Sequence, residues 1–268
     1  MKHKHFLVSD SSALPSSIVA AQRFFKTYKN STKSGRYHEA SKIAGELTEL
    51  IESNIDTTAE DMRLFGIKLL ENKVFLESIL IFDAASTMSE KIENSQKKLE
   101  MIQFCVAGMR DTNKAMIADD SNMKVVVKDH VIPLMRDKLH RMKSTSAVSE
   151  QYKCLQMSWV LHYIEWSQCL VDQWKEREQT LREGVERLNE VFRQNKVKHW
   201  VYGLLFNNLG IVCEGTSRYE EAASFFKQAV DVYQAATDYY DREDRKQHIE
   251  RSEINLRRVQ QKIEWILT

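Results

Sequence analysis

The sequence predicts an all-α fold, and three observations support this prediction. The chain of 268 residues contains only 2 prolines and 8 glycines, whereas an all-β chain of this length needs many more turn residues. Apolar residues recur every three or four positions along most of the chain, which is the period of an amphipathic helix. Hydrophobic residues make up 43% of the sequence, which is enough for a packed core. We therefore predict long helices joined by short loops.

The first part of the chain is predicted to form a lead and two helices. Residues 1–15 are expected to be a flexible lead, because their serines and Pro15 disfavour regular structure. Apolar residues at helical spacing then predict one helix from Ser16 to Tyr28 and another from Tyr37 to Ile51. A polar turn separates these two helices, so we expect them to pack as an antiparallel hairpin.

A second helix pair is predicted over residues 59–88. Thr58 is a suitable N-cap, and Glu60 follows in the first turn, where the helix dipole favours a negative charge. Glu71–Lys73 predicts a tight turn, and the helical period resumes at Phe75.

The middle of the chain has weaker patterns. A helix is predicted from near Ser89 through Met109, and the polar residues 118–122 predict a turn. Val125–Val127 alone would suit a strand, but the surrounding charges and the helical spacing of the following apolar residues favour a helix. Pro133 is expected to kink this helix or to mark its start.

The polar loop Lys143–Ser149 is predicted to separate two subassemblies. These are repeat regions over residues 16–142 and 150–268, stacked as one continuous array. The second region opens with Tyr152–Trp174, an aromatic-rich helix that we expect to lie buried between its neighbours. Tyr239–Thr268 is predicted to be one long charged helix, whose narrow apolar stripe suits a cap at the end of a stack.

Residues Asn207–Ala229 alternate small and large side chains in a pattern typical of two closely packed helices. Small residues stand where the helices would cross, and aromatic residues would fill the gaps between them. This stretch resembles the tetratricopeptide repeat (TPR), a helix–turn–helix unit of about 34 residues. The positions that match or replace those of the family are Phe206, Leu209, Gly210, Cys213, Ser217 (at the turn glycine), Tyr219, Ala222, Phe226 and Ala229.

The same TPR register applies to two earlier parts of the chain. In residues 59–88 the matching positions are Met62, Phe65, Gly66, Leu69, Phe75, Ser78, Phe82 and Ala85. In the first helix pair they are Phe24, Gly35, Tyr37, Ala40 and Ala44. Phe75 and Tyr219 lie 144 positions apart, which equals four steps of 36. We therefore predict elongated, degenerate units between them.

The resemblance implies a right-handed α-solenoid of antiparallel helix pairs with a C-terminal capping helix. Proteins of this family generally hold peptides or partner helices in a concave groove lined by the first helix of each pair. On the matching registers, the groove positions are Gln22, Lys29, Arg63, Ile67, Leu70, Leu204, Asn207, Ile211 and Glu214. Asn207 and Asn208 would offer hydrogen bonds to a peptide backbone, or else serve as ordinary helix polar residues. The clamp by which chaperone-binding relatives hold a terminal carboxylate is not reproduced, so chaperone tails are not predicted as ligands.

The predicted function is non-catalytic protein–protein recognition, as an adaptor or as a scaffold subunit of a complex. The alternative is a helical regulatory sensor that binds a short peptide or small ligand and switches conformation. No P-loop, nucleophile-elbow or dinucleotide-binding motif occurs, so an enzyme is the least favoured class. The 8 histidines lack metal-ligand spacing, and neither a metal nor a cofactor is predicted.

Composition and charge favour an intracellular protein of the cytoplasm or nucleus. A net charge of +1 gives no global reason to bind nucleic acid. No apolar run approaches the length of a membrane span, and the first residues lack the apolar core of a signal peptide. The 4 cysteines are widely spaced, and we interpret them as buried thiols in a reducing compartment.

An aromatic group in the second region leaves two interpretations open. Its side chains either pack between helix layers or anchor a partner protein. The group consists of Trp159, Tyr163, Trp166 and Trp174.

Overall fold

The computed structural model describes residues 59–71, 73, 75–89, 92–192, 199–238 and 242–268. All regular structure in these ranges is helical, which confirms the all-α class for this part of the chain. The chain divides into two compact units, residues 1–94 and 95–268. Among the described residues, no helix is both long enough and apolar enough to cross a membrane.

The described part of the first unit contains one helix pair, α1 (Ala59–Glu71) and α2 (Phe75–Met88), which pack along each other. The predicted tight turn between them is confirmed. Lys73 has a left-handed backbone with φ of 59°, and its N–H donates to the Leu70 carbonyl at 3.0 Å. The Ser78 hydroxyl donates to the Gly66 carbonyl at 2.8 Å and so links the two helices near their crossing.

The second unit begins with α3 (Ser95–Asp119). This helix starts later than predicted, because residues 92–94 are not helical. After a 3-10 turn (Ser121–Met123), one α turn and a π turn (Val127–Val131) lead into α4 (Ile132–Ser144). The segment is helical through its valines, as predicted, and Pro133 lies in the first turn of α4. Proline is tolerated there because the N–H groups of the first turn have no acceptor within the helix, so the missing N–H loses no hydrogen bond.

The next helix pair is α5 (Glu150–Leu170) and α6 (Trp174–Val191). The predicted loop after α4 is present, and the Ser149 hydroxyl caps α5 by accepting from the Tyr152 N–H at 3.2 Å. Because α4 and α5 contact each other, this loop lies inside the second compact unit. The predicted helix through Trp174 is wrong at its end: α5 stops at Leu170, and Trp174 begins α6.

The last three helices are α7 (Trp200–Gly215), α8 (Tyr219–Ala235) and α9 (Arg242–Leu267). Helix α7 packs along α8 and also contacts α6 and α5, and α9 packs along α8. A core cluster at this junction includes Leu181, Leu205 and Tyr233, all of which are buried.

One turn geometry recurs in three helix pairs. Lys73, Asp172 and Ser217 have φ of 59°, 59° and 60°, which lies in the left-handed region. Each stands two positions before the first residue of the second helix, in α2, α6 and α8 respectively. A single left-handed residue reverses the chain so that the two helices are joined within a few residues. The turns are 99 and 45 positions apart, so the predicted step of 36 does not hold between them.

The helix crossing follows the same register in two of these pairs. A glycine stands seven positions before the left-handed residue, and a phenylalanine stands nine positions after it. A Cβ atom on Gly66 would lie 2.9 Å from Phe82 Cε1, and one on Gly210 would lie 2.6 Å from Phe226 Cε1. The close approach of the helices therefore requires glycine at both positions.

We predict that Gly210→Ala destabilises the protein and that Gly215→Ala does not. The added methyl group at Gly210 meets the fully buried ring of Phe226, an overpacking that costs about 1–3 kcal/mol. Gly215 is the matched control, because a Cβ there has nothing within 4 Å and alanine favours the helix by about 0.5 kcal/mol. Urea unfolding of the two variants measures both effects. Equal midpoints would contradict the close helix crossing.

Candidate partner-binding faces

Two of the predicted groove residues, Gln22 and Lys29, lie outside the described residues. Three others lie on α1. Arg63 there forms an ion pair with Glu60 at 2.6 Å, and Ile67 and Leu70 are half-buried. Groove binding by these α1 residues stays a prediction.

The remaining four predicted groove residues share one face of α7, which we call the α7 face: Leu204, Asn207, Ile211 and Glu214. The structure brings these four side chains together but covers most of them. Leu204 packs against the core cluster between α6, α7 and α8. Ile211 packs against a second apolar cluster that includes Val259 of α9. The α7 face is therefore an internal contact with α9 rather than an open groove.

Asn207 is 6% exposed, and its side chain bonds to α9. Its Oδ1 accepts from Ser252 Oγ at 3.1 Å and from Asn255 Nδ2 at 3.3 Å. Its Nδ2 donates to Asn208 Oδ1 at 3.3 Å. All the polar groups of Asn207 that would face a peptide are therefore engaged within the chain.

Glu214 binds two basic residues of α9. Arg258 Nε and Lys262 Nζ each donate to Glu214 Oε1 at 2.8 Å. The hydrogen bond from Arg258 lowers the pKa of Glu214 most, burial opposes this shift, and Lys262 adds to the lowering. The Glu214 carboxylate is thus held in its charged form against α9.

A buried carboxylate connects α7 to the preceding helix pair. Glu165 of α5 is fully buried, and its Oε1 accepts from Asn208 Nδ2 at 2.6 Å and contacts His162 Nδ1 at 3.0 Å. Its Oε2 accepts from Arg177 Nε of α6 at 2.8 Å. A hydrogen-bonded chain therefore runs from α6 through α5 and α7 to the polar residues of α9.

The charge state of Glu165 follows from its partners. Burial by itself raises the pKa of Glu165, but the hydrogen bond and charge of His162 and the charge of Arg177 together outweigh burial and lower it. Arg177 is itself 4% exposed, so both charges of the pair are removed from water. Such a pair is tolerated because each charge has the other as its partner.

Sequence reasoning missed Glu165 and Arg177, although a signal for them exists. They stand seven positions before and five positions after the left-handed Asp172, as Gly210 and Ala222 do around Ser217. An ion pair thus occupies the crossing that small residues occupy in the following pair. A search of the sequence for small residues at these two register positions therefore does not find the ion pair.

The shared register also defines an α5 face, equivalent to the α7 face 45 positions later. It consists of Trp159, His162, Trp166 and Cys169. All four are half-buried, so they keep part of their surface in solvent. The guanidinium of Arg110 and the ammonium of Lys114 lie 5.6 Å and 5.5 Å from the centre of the Trp166 ring. This face combines aromatic surface with positive charge.

The aromatic group divides between the two interpretations. Tyr163 is buried, as expected for a core residue, and Trp159 stacks edge-on against Trp200 of α7 with ring centres 4.6 Å apart. Trp166 is half-buried, whereas Trp174 is 43% exposed at the start of α6. Packing between helix layers therefore explains Tyr163, whereas anchoring of a partner stays open for the more exposed members of the group.

A cluster of possible metal ligands lies where α6, α7 and α8 meet. Oxygen and sulfur atoms of Glu178, Cys213 and Glu221 lie within 4.8 Å of one another. Both carboxylates, however, are bound by Arg182 and Arg218, at distances from 2.5 to 3.0 Å. Burial raises the pKa of the Cys213 thiol to about 11, so it is protonated at neutral pH. A metal ion would have to displace both guanidinium groups, and the cluster is an ion-pair network.

All 4 cysteines have free thiols, three of them buried, which confirms the expected buried thiols for Cys105, Cys154 and Cys213. Burial raises the pKa of Cys154 to about 11, which makes it unreactive at neutral pH. Cys169, on the α5 face, is half-buried.

Comparison of the chain with protein-family models and with curated proteins finds no match.

We predict that Glu165→Gln lowers the free energy of unfolding at pH 7 by about 3 kcal/mol, because it leaves the buried Arg177 without a counter-charge. Since the pKa of Glu165 is lowered by folding, its contribution is complete above the unfolded value of about 4.3 and is lost as the pH falls through the folded value. The difference between variant and wild type should therefore shrink below about pH 4. Urea titrations at several pH values measure it.

Glu178→Gln is the matched control for Glu165→Gln. Glu178 also binds two basic side chains, Arg182 and Arg218, but its own side chain is 21% exposed. A partly exposed pair contributes below about 1 kcal/mol. Equal losses in the two variants would show that the burial of Glu165 is not the reason for its effect.

Proposed function

We propose that the chain is a TPR-like helical-repeat protein whose function is to bind a segment of a partner protein, as an adaptor or scaffold subunit. The observation that supports this proposal is the register shared by three helix pairs. Each pair has a left-handed residue two positions before its second helix, and two pairs have a glycine against a phenylalanine at the crossing. A register shared by several helix pairs is the property expected of a repeat array.

Packing in the second unit supports a solenoid of antiparallel pairs there, and the TPR resemblance implies a right-handed one. Helix α7 contacts both helices of the preceding pair, α5 and α6, as each repeat of a solenoid contacts its neighbour. In such an array the first helices, α5 and α7, line one surface. The α5 face and the α7 face then lie on one surface, of which α9 covers the α7 part.

The chemistry of the α5 face indicates what kind of segment it binds. Trp159 and Trp166 provide large aromatic side chains, which are frequent anchors of protein interfaces. Arg110 and Lys114 bring positive charge to Trp166. We therefore expect the part of the segment that binds the α5 face to combine apolar and acidic residues. The free thiols favour a reducing compartment, in agreement with an intracellular adaptor.

We predict that affinity purification of the full chain from its native cells recovers a stoichiometric protein partner, and that Trp166→Ala weakens its binding. Loss of a half-buried aromatic anchor should raise the Kd about thirtyfold. Calorimetry with the purified partner measures this change. A ligand-dependent thermal shift without any protein partner would favour the regulatory sensor instead.

The control for Trp166→Ala is Trp265→Ala. Trp265 is 80% exposed on α9, and its replacement removes the same side chain from a different surface. Partner binding that depends on Trp265 and not on Trp166 would contradict the proposed face. Failure to recover any partner would contradict the proposed function itself.

A further inference from the structure

Helix α9 buries few side chains for its length. Only Ser252, Asn255 and Val259 of its 26 residues are buried, and two of these three are polar. Trp265 and Ile254 of the same helix are 80% and 54% exposed. The burial of apolar surface is the main favourable term in helix docking. Helix α9 packs along α8 through the half-buried Ile249, Leu256 and Ile263, and it buries less of its apolar surface than α7, which is buried along most of its length.

The polar contacts between α9 and α7 all involve residues of the α7 face. Ser252 and Asn255 bond to Asn207, while Arg258 and Lys262 bond to Glu214. Val259 lies in the apolar cluster to which Ile211 adds. Two of the four α7-face residues, Asn207 and Glu214, thus bond directly to α9, and Ile211 packs against the cluster that includes Val259.

The ion pairs with Glu214 favour a reversible contact. Arg258 and Lys262 have side chains that are 47% and 44% exposed. Exposed cations gain little from an ion pair because water and salt screen it, and they are readily hydrated when it breaks. Separation of α9 would leave Glu214 at the surface and Asn207 open to water, so neither group would remain buried without a partner.

We infer that α9 is a displaceable occupant of the α7 face and that the partner is an amphipathic helix which replaces it. The partner helix presents a hydroxyl or amide group to Asn207, an aliphatic side chain to Ile211 and a basic side chain to Glu214. This inference rests on the proposed partner-binding function and adds that the α7 face opens when α9 leaves. The residues of the α5 face are partly exposed while α9 is in place.

Native-state hydrogen exchange on the full wild-type chain tests whether α9 separates from the rest. If α9 is displaceable, its amides exchange through an opening that leaves α7 and α8 protected. Glu214→Gln should then speed exchange in α9 about tenfold, because it removes the charge that two basic residues bind. Glu178→Gln, whose carboxylate forms its ion pairs with Arg182 and Arg218 rather than with α9, should leave α9 exchange unchanged. Exchange of α9 only together with α7 and α8 would overturn the inference.

A peptide with the sequence of residues 242–268 tests whether the α7 face accepts a helix from outside. The variant Arg258→Glu/Lys262→Glu loosens the chain's own α9 by placing glutamates opposite Glu214, and it leaves the α7 face unchanged. A fluorescent form of the wild-type peptide should bind this variant at least tenfold more tightly than it binds the wild-type chain. Adding Glu214→Lys to the variant should abolish that binding. Equal binding to the variant and the wild type, or no binding to either, would overturn the inference.

Failure of the inference and failure of the proposed function give different results. A stoichiometric partner whose binding is insensitive to Arg258→Glu/Lys262→Glu would contradict displacement of α9 and leave the adaptor function standing. Independent opening of α9 and binding of the peptide, without any recovered partner, would support displacement while contradicting the adaptor function.

Discussion

The second unit depends on one fully buried carboxylate, Glu165, which takes donors from three helices. Arg177 of α6, His162 of α5 itself and Asn208 of α7 all reach it within 3.0 Å. A buried charge without partners costs several kcal/mol, at least about 3, so any shift of α6 or α7 that breaks these bonds is resisted. The carboxylate therefore fixes how two consecutive helix pairs meet. Because Asn208 is held by Glu165, the neighbouring Asn207 is oriented toward α9.

The same position shows two solutions to one packing problem. At the crossing of α7 and α8 the helices approach closely, because Gly210 has no side chain to hold them away from Phe226. At the crossing of α5 and α6 the long side chains of Glu165 and Arg177 fill the space. A directional ion pair stands there in place of close backbone packing. Close packing gains dispersion energy, whereas an ion pair specifies which partner and which register are accepted.

Local chemistry was predictable from the sequence, and contacts across distant helices were not. The turns at Lys73 and Ser217 and the crossings at Gly66 and Gly210 follow from residue size and short-range geometry, so the pattern predicts them. The TPR register of the pair α5/α6 was not predicted, because its crossing residues are Glu165 and Arg177 and because the step to the next pair is 45 residues. Asn207 was placed on a predicted groove, but its surroundings are set by Ser252, 45 positions later. No local pattern predicts where α9 lies.

The contacts of α9 bear on whether it is a structural cap or a bound helix. A cap protects apolar surface that would otherwise meet water, so it should contribute apolar side chains in proportion to its length. Helix α9 contributes one fully buried aliphatic residue, Val259, and three half-buried ones, Ile249, Leu256 and Ile263. Its polar contacts with α7 go to Asn207 and Glu214. Those two side chains gain nothing from a purely apolar cap, which would leave a carboxylate and an amide without partners. The polar character of the α7 face thus requires a polar, basic occupant, and this requirement can be met by α9 or by any helix of the same chemistry.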